Sequence, residues 1–546
     1  MEFRQGFITR VKMMKGKRFF IRCRPSKLNA TNSVIEVEVH NSLRSFLRSS
    51  GEPYWPHHLT MGRLVARALR LGRSALIQTG APCGSRGRYR LSYLMPVLMW
   101  SGSAVLVVGE AMRQRLLMVE IPQLQQWIQT HKPVVAGDRW PGEDFEGILI
   151  TSPQAWLGDR LSGDSRFPAE TVTIFDGVDD FEEQTRSHLT TSLHPRDWHN
   201  LMLARPDRAE GIRDWRVRLT RSLFSHPANP YGCNLLDKGD RENFQGLLHS
   251  LDSHDAPLPA PWQQFCQRWH SDNCMSWADV DRDTGQFSLH CAPVEVAKIL
   301  APIWSQQPVV LIGEALDLDS DAPIYRQRLG LGDLTSVKFS PDRQNELIHL
   351  YLPDRLPMPN TPQFQRALMG QLFQLMRAGT DTKTVRADRH LKIVLVGDVP
   401  LRTQVGAALA AEFGSRVQVD NASVPDNGIL VCGWDFWRQR QTELTPPQLL
   451  AIPTLPIPSL ENPLVAGRVA YYKQHRQDWF RLYLLPAALS ELQRAIAPVR
   501  ERQGVVALLD NRVLHRSYGD RVLAALSPMA RTNYLEDNFL SSNNFS

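Results

Sequence analysis

Short apolar runs recur between longer helical patterns along most of this chain. SALIQTG (74–80), SAVLVVG (103–109), EGILITS (146–152), TVTIFDG (171–177) and PVVLIGE (308–314) form one series. KIVLVGD (392–398), RVQVDN (416–421), NGILVCG (427–433), LLAIPTLP (449–456) and GVVALLD (504–510) form a second. The runs are rich in Val, Ile and Leu and do not alternate with polar residues, which suits parallel strands buried on both faces. Amphipathic stretches such as LRTQVGAALAAEFG (401–414) supply the crossover helices. Two series of about five strands predict two doubly wound α/β domains.

The pattern lapses over 183–285, which lacks β-branched runs and is rich in Trp, Arg, His, Asp and Gln. It reads as a mostly helical insertion. PVVLIGE then resumes the first series, so the first domain is expected over 34–182 and 286–330, and the second over 331–530. Residues 531–546 are polar and expected to be flexible. The uncharged stretch 91–109 approaches the length of a membrane span. Pro96 and Ser101-Gly102-Ser103 divide it into a short helix and a strand, so no span is expected.

Charge changes the picture at one end only. The chain carries 63 basic and 56 acidic residues. Residues 1–33 hold nine basic groups and one acid, and the remainder is left with 54 and 55. A basic balance favours nucleic acid as a partner, but here it belongs to a tail that reads as an over-extended reading frame. Seven cysteines without a CxxC pair fit a reducing, cytoplasmic setting rather than a disulfide scaffold. The 16 histidines show no metal-ligand spacing, and no metal site is expected.

In parallel sheets ligand chemistry gathers at strand C-termini. The first run ends in Gly80-Ala81-Pro82-Cys83-Gly84-Ser85-Arg86, and the fourth in Asp176-Gly177-Val178-Asp179. A glycine-rich turn after one strand and an acid ending another is the layout of a P-loop nucleotide site.

The context sharpens this. LIQTGAPCGSRGRYRLSYLMPVL resembles the P-loop region of DinG/XPD-type superfamily 2 DNA helicases, and TVTIFDGVDDFEE their DEAH box. RLGLGD, FSPD and LYLPDRLPMPNTPQF are similar to the start of that family's second motor domain. FRLYLLPAALSELQRAIAPVR and GVVALLDNRVLHRSYGDRVLAALSP resemble its motif VI and closing strand. The resemblance runs in order over roughly residues 50–530. It implies two RecA-like motor domains, the first interrupted by a helical arch-like insertion.

It also implies an altered chemistry. Gly80, Gly84, Ser85 and Arg86 stand at the nucleotide-binding turn, with Ser85 in place of the phosphate-binding lysine and Arg86 in place of the Mg²⁺-binding threonine. Asp176 keeps the metal-side acid of the box. Gly177 replaces the glutamate that positions water, and Asp179 replaces the histidine. Gln493 and Arg500 keep two motif VI positions, while Ala497 replaces the first arginine finger. His58 stands where the family reads adenine with glutamine. A general base is worth about 10²–10⁴-fold and an arginine finger about 10³–10⁵-fold, so ATP hydrolysis is expected to be weak or lost, with ATP and Mg²⁺ doubtful as cofactors. No cysteine lies between Cys83 and Asp176, where many relatives hold an iron–sulfur cluster, and none is expected here. Cys233, Cys266, Cys274 and Cys291 read as buried apolar residues. The family implies single-stranded or forked DNA as partner. Arg88, Tyr89 and Arg90 are a candidate backbone-and-stacking surface, and the insertion, with Trp198 and Trp215, a candidate protein-docking surface.

Overall fold

The computed structural model describes residues 35–50, 55–80, 88–251, 257–378 and 390–534. The Gly84, Ser85 and Arg86 positions of the turn and the tail 1–33 lie outside them. Two seven-stranded sheets, every pair parallel, carry the chain. The first runs Thr335–Lys338, Ala75–Gln78, Val309–Gly313, Val172–Asp176, Ala104–Val107, Ile148–Thr151, Val134–Ala136. The second runs Val417–Val419, Ile429–Cys432, Lys392–Leu395, Leu449–Ile452, Val505–Leu508, Ile348–Tyr351, Met529–Thr532.

Both faces of each sheet are covered, which is why the runs do not alternate. Ile77, Leu106, Ile150, Ile174 and Ile312 pack one core on the first sheet. Leu76, Val105, Leu149, Phe175 and Leu311 pack another on its opposite face. The second sheet repeats the arrangement, with Ile393, Leu430 and Val506 on one face and Val394, Val431 and Ala507 on the other. The uncharged stretch splits as expected into the buried helix Leu91–Met99 and the strand Ala104–Val107. No helix among the described residues is long and apolar enough to cross a membrane.

The insertion departs from expectation in several ways. Beside its helices, Thr191–Leu193, Gln286–Pro293, Cys274–Asp281 and Cys233–Leu235 form a four-stranded antiparallel sheet that was not expected. It reaches Pro293 rather than residue 285, because Cys274–Asp281 and Gln286–Pro293 are the two arms of one hairpin. Similarly, Thr335–Lys338 belongs to the first sheet, so the first domain continues past residue 330. Trp198, fully buried beside Trp262 and Phe287, is core rather than a docking residue. Cys274 and Cys291 are not apolar filler: neighbouring strands bring them side by side and they form a disulfide.

Candidate nucleotide site and inter-domain cleft

The strand Val172–Asp176 is buried until its last residue, which delivers the Asp176 carboxylate to the sheet's C-terminal end. The strand Ala75–Gln78, separated from it by Val309–Gly313, leads to Gly80, whose φ of +76° admits glycine and whose added Cβ would lie 2.3 Å from the Phe339 carbonyl. Beyond the turn, the short 3₁₀ helix Arg88–Arg90 runs into Leu91–Met99. Tyr89 and Tyr93, four residues apart, share one face of this helical stretch, and that face meets Asp176.

Tyr89 donates to Asp176 Oδ1 at 2.7 Å, and Tyr93 to Oδ2 at 2.8 Å. Arg90 Nε donates to Oδ2 at 3.1 Å, and its guanidinium lies 3.6 Å from Glu120. Burial first, and then the Asp176 charge, hold both tyrosines well above their usual range, so they remain donors. Burial, the largest single influence, opposes the Arg90 charge, but Asp176 together with Tyr89, Tyr93 and Glu120 outweighs it. The carboxylate is thus saturated by the chain's own groups, with a guanidinium standing beside it.

The following backbone differs as well. Gly177 has φ +88°, a conformation that strains L side chains, and both Gly177 and Val178 N–H groups donate to the Ile312 carbonyl. Asp179 accepts from the Glu314 N–H at 2.9 Å and the Ala315 N–H at 2.8 Å, fixing the turn after Val309–Gly313. Burial, and then the Asp179 charge, push the Glu314 carboxyl up to about 7.

The sequence-derived residues separate into groups. Asp176 meets Tyr89 and Arg90, and those two are buried (3% and 7% exposed). They are therefore not a nucleic-acid surface, because both side chains turn inward to the carboxylate. The Arg88 side chain lies outside the described residues. Gln493 is half-buried beside Ala315 and Leu318 of the first domain. Arg500 stays within the second domain, where it donates to the carbonyls of Glu346, Leu526, Ser527 and Pro528. His58 is buried, with Nδ1 2.9 Å from Ser92 Oγ.

Sequence reasoning missed Tyr93 and Arg494. The four-residue spacing of Tyr89 and Tyr93 was the available signal for the first. Arg494 follows Gln493 directly and crosses to Asp180 in the first domain at 3.1 Å. A second crossing joins Arg468 to the buried Glu182 at 2.7 Å, where Arg186 and Arg328 also converge.

The described residues do not fit Mg²⁺ at Asp176. Its acceptor positions are occupied, and Arg90 supplies the positive charge that a cation would bring. Among the described residues, the one cluster of three potential metal ligands is His226, Asp237 and Asp240 in the insertion. There Asp237 and Asp240 cap the helix Lys238–Leu251 reciprocally, and His226 donates to Asp240. That arrangement is accounted for by capping.

Between the two motor domains lies an open cleft of about 1210 Å³, bordered also by Tyr231 of the insertion. It is lined by Asp180 and Glu183 of the first domain and by Asp398, Trp434, Asp435 and Arg494 of the second.

No protein-family model matches the chain. It is similar to the ATP-dependent DNA helicase YoaA of Escherichia coli, 25% identical over 253 residues, and to YoaA of Haemophilus influenzae, 26% identical over 258. These matches cover 45% and 46% of this chain and 40% of each relative's length. Among solved structures, an XPD helicase and Xpd4 of S. tokodaii each superpose with a TM-score of 0.55, at 10% and 12% identity. Both superpositions cover 88% of this chain and all of the other. By sequence, part of the chain is similar to the DNA helicase YoaA, and by fold the chain is similar to XPD helicases.

Proposed function

We propose that this helicase homologue holds nucleic acid without useful ATP turnover. One observation carries the reading: the Asp176 carboxylate, the only retained acid of the DEAH box, is bound by Tyr89, Arg90 and Tyr93. Binding Mg²⁺ there would require withdrawing a buried guanidinium and breaking three hydrogen bonds. Removing one partner of a buried ion pair costs about 3–5 kcal/mol, and a nucleotide bound through a turn without lysine has little with which to offset it. The left-handed backbone at Gly177 adds a further barrier to a water-positioning glutamate.

Nucleic acid remains the favoured partner because the matched relatives are named as DNA helicases. The insertion helix Ala209–Ser225 exposes Arg213, Arg218 and Arg221, with Arg218 4.6 Å over the Trp215 ring. Such a combination binds backbone phosphate and stacks on bases.

Single-stranded-DNA-stimulated ATP hydrolysis tests this, with Asp176→Asn as control. The expected rate equals that of the variant, while retention on single-stranded DNA falls with salt and with Arg213→Gln/Arg218→Gln/Arg221→Gln. A DNA-dependent rate of about 1 s⁻¹ or more, lost in Asp176→Asn, would instead establish an active helicase.

A further inference from the structure

We infer that the cleft between the motor domains is a docking site for a basic, partly apolar segment of a partner protein. The cleft is lined by eight carboxylates and four guanidiniums. Accessibility makes the imbalance larger. The Asp435 side chain is 87% exposed and that of Glu183 66%, and Asp398 and Glu461 are exposed with them. The guanidiniums of Arg494 and Arg328 are 13% and 22% exposed, and each is already paired. Arg438 reaches solvent more, but its charge is shared between Asp435 and Glu491. Glu183 is itself paired with Arg186 and Arg468, and Asp435 with Arg438, so the excess negative charge that the cleft presents to a visitor rests chiefly on the exposed Asp398 and Glu461.

That charge opposes a polyphosphate. Carboxylates within a Debye length of about 8–10 Å repel each phosphate brought into the cleft and reverse the counterion-release gain that drives nucleic-acid binding. The same carboxylates attract lysine and arginine. Part of the remaining lining is apolar and stiff: Trp434, Ile457 and the half-exposed Leu460 stand beside Pro456 and Pro458. Acids around apolar anchor points suit an amphipathic basic peptide, whose charges steer it and whose apolar side chains fix its register. The volume of about 1210 Å³ exceeds the usual small-molecule pocket of about 300–1,000 Å³ and is peptide-sized.

The test uses the full chain carrying a photo-reactive residue in place of Leu460. The probes are a fluorescent Lys/Arg-rich amphipathic peptide of about 18 residues and a fluorescent oligo-deoxythymidine. The peptide is expected to bind, to cross-link at position 460, and to weaken about tenfold in Glu183→Gln/Asp435→Asn/Glu461→Gln. Glu110→Gln/Glu242→Gln removes two exposed acids outside the cleft and is expected to leave binding within about twofold.

Failure of the peptide to bind overturns the proposal, as does equal binding to the triple variant or an equal loss in the control. Cross-linking of oligo-deoxythymidine at 460 would make the cleft a nucleic-acid path. An internal cross-link to residues 1–33 without added peptide would make the chain's own basic tail the occupant. Either of these also overturns it.

Discussion

The Asp176 centre and the inter-domain cleft both gather carboxylates at the ends of parallel strands, yet they treat them in opposite ways. At Asp176 each acceptor is met by a buried donor of the same domain. In the cleft the guanidiniums recede into pairs while Glu183, Asp398, Asp435 and Glu461 project into solvent. A saturated carboxylate contributes to the fold, whereas an exposed one is free to select a partner. Family position alone would have ranked these two places the other way round.

The contrast predicts a graded response to mutation. Arg90→Met should have the largest effect, because it strands a buried carboxylate. It should lose about 3–5 kcal/mol of stability in thermal unfolding, and Asp176→Asn in the same chain should recover a large part. An unchanged midpoint in Arg90→Met would break the comparison.

Glu314→Gln should act through pH. The folded-state carboxyl is raised from 4.5 to about 7, so the native protein holds a proton that the unfolded chain releases in that window. Stability from this group is therefore full below about pH 4.5 and is lost as pH rises through 7. The variant should be more stable than the parent by about 1–3 kcal/mol at pH 8 and nearly equal near pH 4.5, read from melting curves at both. The smallest effect belongs to the cleft. Asp435→Asn should shift stability by less than about 0.5 kcal/mol, measured in the same way, and a larger loss would mean that this acid is structural.

The central strands were legible because burial on both faces leaves a run of Val, Ile and Leu that nothing else produces. Of the edge strands, only Val417–Val419 was legible. Thr335–Lys338 and Met529–Thr532 are partly exposed and largely polar, so their composition matches loops, and Val134–Ala136 is three residues long and mostly exposed. The hairpin WADVDRDTGQFSLH alternates and turns at Thr284-Gly285, and its signal was masked by the Trp- and Arg-rich helices around it. At the site, residue identities showed that Asp176 had lost its usual companions. They could not show that Tyr89 and Arg90 point inward, since an arginine–tyrosine turn has the same composition on a surface and over a buried acid. The four exposed acids of the cleft come from four separate segments, and only the tertiary fold brings them together.

The chain order of the first sheet has a consequence for assembly. One of its inner strands, Val309–Gly313, lies between Ala75–Gln78 and Val172–Asp176 but is made only after the whole insertion. The insertion departs through Thr191–Leu193 and returns through Gln286–Pro293, which are paired neighbours. With its own core of Trp198, Trp262, Phe244 and Leu289, the insertion can fold first and close a loop of roughly 100 residues, sparing the sheet that entropy cost. An insertion that folds in this order would be an internal clasp on the first domain. A lesion in its hairpin would be felt as late or failed closure of a sheet it never touches.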